Sequence, residues 1–178
     1  MKNTKRLLAS FFVGLVGLNA HAQGTQAEYM EELARSGFSV RMHSFVSTKQ
    51  GLAHTVIDKV GVDRKEAHEY TAEIATAKAG AYVYFTAYRA CIPTPFIQLT
   101  ERIISIEGQK MEAEYVCRTS AARRPQEIYI IKSLAGNEYA KKTFSEKALV
   151  LIHLNGVPVP FDMQGFSKVF AEASVKAL

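Results

Sequence analysis

The chain holds two cysteines, Cys91 and Cys117, 26 positions apart. A bond between them would close a loop and stabilise the fold by about 3–4 kcal/mol through the unfolded chain's lost entropy. That is a large share of a typical domain's stability. The intervening residues, IPTPFIQLTERIISIEGQKMEAEYV, read as two strands joined at Glu107-Gly108-Gln109. Pro93 and Pro95 fall in the connection before them, where a missing N–H donor is tolerated. AYVYFTAYRA, residues 81–90, reads as a third strand. The expected unit is a three-stranded antiparallel sheet, with the disulfide tying the 81–90 strand to the 111–119 strand.

Whether two cysteines pair depends on compartment, and the first residues address that. Lys2, Lys5 and Arg6 precede an apolar run from Leu7 to Leu18, and Ala20-His21-Ala22 is a small-x-small cleavage site. The run is shorter than the roughly 20 apolar residues a membrane span needs. Residues 1–22 are therefore expected to be a cleaved signal peptide and 23–178 a single globular domain, periplasmic or secreted. An oxidising compartment favours the bond over two free buried thiols. No C-x-x-C is present, so a structural bridge is expected rather than a redox device.

Three of the five net positive charges lie on Lys2, Lys5 and Arg6, which leaves +2 on residues 23–178. With export, that argues against nucleic acid as a partner. The charge that remains is uneven. Arg118, Arg123, Arg124, Lys132, Lys141, Lys142 and Lys147 outnumber Glu127, Glu138 and Glu146 between 118 and 147. Arg123 and Arg124 sit in a predicted turn. They could face an acidic partner or simply be solvated.

Along the chain, Thr25 with Glu28 forms a capping box opening a helix that Gly37 stops. Phe38, Val40 and Met42 alternate as a strand. Leu52, Val56 and Val60 recur at helical spacing up to Gly61. Asp63 with Glu66 caps a second pattern, in which Ala67, Tyr70, Ile74 and Ala77 predict a helix over 64–79. His68, Tyr70, Ala72 and Ile74 also alternate, which keeps a strand open there. Further strands are expected at 81–90, 97–106, 111–119, 127–134 and 147–154, with a short helix at 137–142. Asn155-Gly156 is a tight-turn signal. It returns the chain into VPVPF, whose Pro158 and Pro160 place that strand at an edge. Phe166, Val169, Phe170 and Ala173 mark a final helix. The expected class is α+β: an antiparallel sheet core, sandwich-like or curved, with N-terminal helices, a C-terminal helix and one disulfide.

The stretch from Gln126 to Ala173 carries EIYIIKS, a polar helical piece, KALVLIHL, an Asn-Gly turn, VPVPFDM and Gly165-Phe166. In this order it resembles the closing region of the invasion-associated locus B family of exported bacterial proteins. AEYVC, ending at Cys117, matches that family's aromatic-then-cysteine strand. The chain departs from the family in having no cysteine at 118–126 and no tryptophan. The resemblance implies a sandwich-like exported domain without established catalysis, associated in some members with entry into host cells. It supplies no active-site residue.

The residues themselves offer little catalytic chemistry. His43, His54, His68 and His153 include no pair at i, i+4, and His68-Glu69 begins an H-E-x-x-H string that Ala72 breaks. No G-x-S-x-G and no phosphate-binding glycine loop occurs. Glu112 and Glu114 share a strand face that reads as solvated. Tyr82, Tyr84 and Tyr88 share one face of the 81–90 strand, and such a row is either ordinary sheet cover or a recognition surface. The leading expectation is a non-enzymatic exported protein that acts by protein–protein or surface contact, without a cofactor or bound metal. Its candidate surface is Arg118, Arg123, Arg124, Tyr82, Tyr84 and Tyr88, and its partner an unidentified protein or a component of the envelope or host surface. One alternative is a periplasmic hydrolase with a pocket holding at least two of Glu112, Glu114, His43, His54, His68 and His153. Another is a periplasmic inhibitor or immunity protein presenting the 119–126 loop.

Overall fold

The computed structural model describes residues 26–46, 51–60, 67–77, 80–89, 91–93, 98–121 and 124–175. The signal segment, Arg123, Pro95 and the capping residues Thr25, Asp63 and Glu66 lie outside them. Helix α1 spans Gln26–Arg35, and Gly37 follows in the left-handed region with φ 77°, the conformation that ends a helix. Two strands come next, β1 (Phe38–His43) and β2 (Leu52–Lys59). They are followed by β3 (His68–Ala77) and β4 (Gly80–Tyr88). Then come β5 (Thr100–Ile106), β6 (Gln109–Thr119) and β7 (Pro125–Ile131). Helix α2 (Leu134–Glu146), strands β8 (Leu149–Leu154) and β9 (Val157–Asp162) and helix α3 (Phe166–Val175) complete the chain.

The class is the expected one, α+β with an antiparallel sheet. Nine strands form one curved, nearly closed sheet in the order β1-β2-β3-β4-β7-β6-β5-β8-β9. Three local expectations are corrected. In both segments with helical spacing the described residues form strands, Leu52–Lys59 and His68–Ala77, so α1 is the one N-terminal helix among the described residues. In β3, Tyr70, Ala72 and Ile74 point into the core while Glu69, Thr71 and Glu73 point out. Ladders to β2 and β4 use its backbone groups on both edges. The 137–142 helix extends to the whole of α2, because the Ser133 side chain caps the Gly136 N–H at 3.0 Å. The supposed three-stranded unit is also interrupted. β7 lies between β4 and β6, pairing Phe85 with Tyr129 on one side and Tyr129 with Tyr115 on the other.

The hairpin turns follow the sequence signals. Glu107 and Gly108 have φ of 49° and 79°, and Asn155 and Gly156 have 51° and 78°. Two consecutive positive φ values are what a tight hairpin with matching twist requires. β9 is the terminal strand of the sheet, as its prolines predict.

The core lies inside the curl. Phe85 packs edge-on against Phe144 of α2, Phe144 against Phe166 of α3, and Phe166 against Phe45, with ring centroids 5.3–6.3 Å apart. Phe166, Val169 and Ala173 of the predicted stripe are buried, and Phe170 is partly buried against them. Gly51 has φ +63°, and a Cβ there would stand 2.4 Å from the Val169 side chain. That contact leaves room only for glycine where β2 begins beneath α3.

Candidate functional site

Cys91 and Cys117 are bonded, with Cα atoms 6.1 Å apart. The bridge spans β7 rather than joining neighbouring strands. Cys117 stands opposite Glu127 across the β6–β7 ladder, so bond and carboxylate share one end of the sheet. Glu127 is buried. It accepts from Arg89 Nε at 2.5 Å, from the Tyr129 hydroxyl at 2.8 Å and from the Tyr115 hydroxyl at 3.2 Å. Arg89 Nη2 also reaches the Tyr129 hydroxyl at 3.3 Å, and Arg102 lies 4.9 Å over the Tyr115 ring. Burial opposes charge on Arg89, but Glu127 and Tyr129 hold its pKa above the ordinary value. Burial, with the Glu127 hydrogen bond second, pushes the Tyr129 hydroxyl up. Both carboxylate oxygens are taken, and the cluster is arranged to hold the sheet end together.

The other polar constellation lies on the outer face, where the strand registers set the rows. One row runs His43, His54, Thr71, Thr86, Ile128 and Val116 across six strands. In the next, Glu69 of β3 faces Tyr88 of β4, and Gln126 of β7 faces Arg118 of β6. These rows and the β6–β7 turn form an open groove of about 730 Å³. His54, Glu69, Thr71, Tyr88, Arg118 and Arg124 line it, with Gln126, Leu52 and residues 119–121.

Of the sequence candidates, Tyr88, Arg118 and Arg124 line this groove, and Tyr82 and Tyr84 do not. Tyr82, Tyr84 and Tyr88 lie half-buried on the outer face of β4, and the rings of Tyr82 and Tyr84 are 6.5 Å apart. Arg124 is paired with Glu69 at 3.2 Å and stacks 5.5 Å over the Tyr88 ring. Tyr84 donates to Glu73 Oε2 at 2.5 Å, and Thr71 donates to Glu73 Oε1 at 2.7 Å. Burial, then the Glu73 hydrogen bond and charge, push the Tyr84 hydroxyl well up. Arg118 is exposed at the end of β6. The Gln126 carboxamide is buried, and with its oxygen turned to Arg118 it accepts from Nε at 2.6 Å and Nη2 at 3.1 Å. That orientation follows from the donors it faces. Among the described residues, no carboxylate pairs with Arg118.

Apart from the neighbouring His43 and His54, the histidines and strand glutamates are placed separately. His43 stacks on His54 with ring centroids 6.0 Å apart, but of these two only His54 lines the groove. His68 is exposed at the start of β3. His153 Nδ1 lies 3.2 Å from the Ser105 hydroxyl. Glu112 lines a separate groove beside α2, and Glu114 stands opposite Ile130 on β7. Among the described residues, no group of three His, Cys, Asp or Glu side chains is placed to hold a metal ion.

Glu127, Arg89, Gln126 and Glu73 were not singled out in the sequence. One signal was available for Glu127: it shares strand parity with Tyr129 and Ile131, so it had to point into the core. Comparison with known proteins finds no matching family model, curated protein or solved structure. The class rests on the fold and site alone: a nine-stranded, nearly closed antiparallel sheet around two helices, with a polar groove on its outer face. No helix among the described residues is long and apolar enough to cross a membrane.

Proposed function

We propose that this is an exported, non-enzymatic binding protein that uses the outer face of its sheet as the recognition surface. One observation carries the reading. Tyr88 of β4 lines a single open groove with Arg118 and Arg124, which lie some thirty residues further along the chain, and Tyr84 lies on the same face of β4. Tyrosine and arginine are the residue types that dominate binding hot spots, because each presents a large flat surface with a polar edge. The disulfide is compatible with export. The proposal includes cleavage after Ala22, with a protein beginning at Gln23 in the periplasm or outside the cell. The resemblance to the invasion-associated locus B family favours contact with a host or envelope component.

The inhibitor reading draws on the same surface. The turn between β6 and β7 supplies Thr119, Ser120, Ala121 and Arg124 to the groove. The hydrolase reading asks for two of six named side chains in one pocket, and each described groove holds at most one of them.

A photo-crosslinking side chain at Thr119 should give a discrete adduct in cells that make the protein, and the same group at Lys168 of α3 should not. The adduct should disappear in the Tyr88→Ala, Arg118→Ala double variant. Identical adducts from both positions, or none from Thr119, would reject the groove as the recognition surface.

A further inference from the structure

Resting on that reading, we propose that Arg118 anchors one carboxylate of an acidic protein segment. The carboxylate would sit side by side on the guanidinium edge that Gln126 leaves open. Gln126 takes the Nε–Nη2 edge through a single oxygen. Nη1 and the outward proton of Nη2 remain, the parallel pair of donors that a carboxylate accepts in bidentate fashion. The holder is a buried amide rather than an acid, so Arg118 is oriented without being neutralised.

The charged side chains that line the groove with Arg118 are already engaged. Arg124 takes Glu69, and the Tyr84 and Thr71 hydroxyls take Glu73. The groove therefore keeps one oriented cation with no carboxylate partner among the described residues. Tyr88 lines the same groove as Arg118, and Tyr84 lies on the same face of β4 as Tyr88.

Two rival ligands fit less well. A saccharide site offers an open aromatic face, whereas the Tyr88 ring has the Arg124 guanidinium over it at 5.5 Å. A phosphate calls for several converging cationic or N–H donors. Here Arg124 is paired, which leaves the single open edge of Arg118. An acidic peptide uses that edge and meets the hydroxyls of Thr119 and Ser120 along the lining.

The test uses the disulfide-bonded protein beginning at Gln23, isotope-labelled for NMR. The probes are a short capped peptide containing two glutamates, its glutamine counterpart, inorganic phosphate and glucuronate. The glutamate peptide should shift the Arg118 Nε–H and Thr119 amide signals saturably, and added salt should weaken it. Arg118→Gln should lose about tenfold or more in affinity, the scale of a charge-assisted hydrogen-bond pair. Gln126→Leu should lose several-fold while keeping the charge, a readout that net charge alone would not move. Amide signals of α2 and α3 report that each variant is folded.

The proposal is overturned if the glutamine peptide binds equally well, if phosphate or glucuronate binds more tightly, or if Arg118→Gln binds like the wild type. A Thr119 adduct without glutamate-peptide binding would reject this ligand class and leave the groove standing. Peptide binding without an adduct would reject the groove's cellular role instead.

Discussion

The Thr55 hydroxyl donates to the Pro160 carbonyl at 2.6 Å, joining β2 to β9 across the seam where the sheet stops short of closing. β9 is an end strand, and Pro158 and Pro160 have no N–H to offer a neighbour. Their carbonyls are capped by side chains instead: Pro160 by Thr55, and Pro158 by the Tyr29 hydroxyl of α1 at 2.7 Å. Burial pushes the Tyr29 hydroxyl up to about 12, so it stays protonated and remains a donor. The edge is thus covered without a ladder, which blocks pairing with another chain.

Thr55 is fully buried, so Thr55→Val should leave the Pro160 carbonyl without its donor at a cost of about 1–2 kcal/mol. Thr100→Val is the control. Its hydroxyl is buried without a partner among the described residues, and its replacement should be neutral or slightly stabilising. Urea unfolding of both variants checks the contrast. Equal losses would mean that the seam bond contributes nothing specific.

Glu127→Gln should destabilise by about 2–3 kcal/mol, because the half-buried Arg89 would lose its counter-charge. The Arg89→Met, Glu127→Gln double variant should recover part of the loss. A double-mutant cycle measures the coupling, and simple additivity would contradict the closed cluster described here.

Replacing Cys91 and Cys117 by alanine together should cost about 3–4 kcal/mol for a loop of this length, mainly by freeing the unfolded chain. The loss should appear as a lower urea midpoint, matched by wild-type protein under reductant. Because the bridge spans β7, amide exchange should rise first at the Cys117 end of β6 and β7. A rise confined to β5 would show that the bond acts elsewhere.

Burial holds the His54 imidazole below its ordinary value of 6.5; Glu69 opposes this, and His43 and Arg41 add to it. Burial lowers His153 as well. The unfolded chain therefore takes up these protons first as the pH falls. Their stabilising contribution is complete above the ordinary imidazole value and is lost as the pH drops through the folded values. Urea midpoints should fall between about pH 7.5 and pH 5, more steeply in wild type than in a His54→Gln, His153→Gln variant. Parallel pH profiles would reject the assignment.

Much of the fold could be read from residue order. The 111–119 strand, the Glu107-Gly108 and Asn155-Gly156 turns, the β9 edge and the α3 stripe all follow from local chemistry. Residues 64–79 did not, because Tyr70 and Ile74 fit a helical face and an inward strand face equally well. The deciding forces were the ladders to β2 and β4, which lie outside any local window.

The sequence by itself determined which residues turn inward, where the chain reverses and which two cysteines are available to pair. Only the tertiary structure decided that β7 separates β4 from β6. It also decided that hydroxyls close the seam, and that Tyr88, Arg118 and Arg124 share a groove with Gln126 beneath Arg118. An alternating pattern fixes the face on which a side chain lies but carries no information about which strand will be its neighbour. Neighbours are chosen by the collective packing of the curled sheet around α2 and α3, and a groove built from separate strands exists only once that packing is complete.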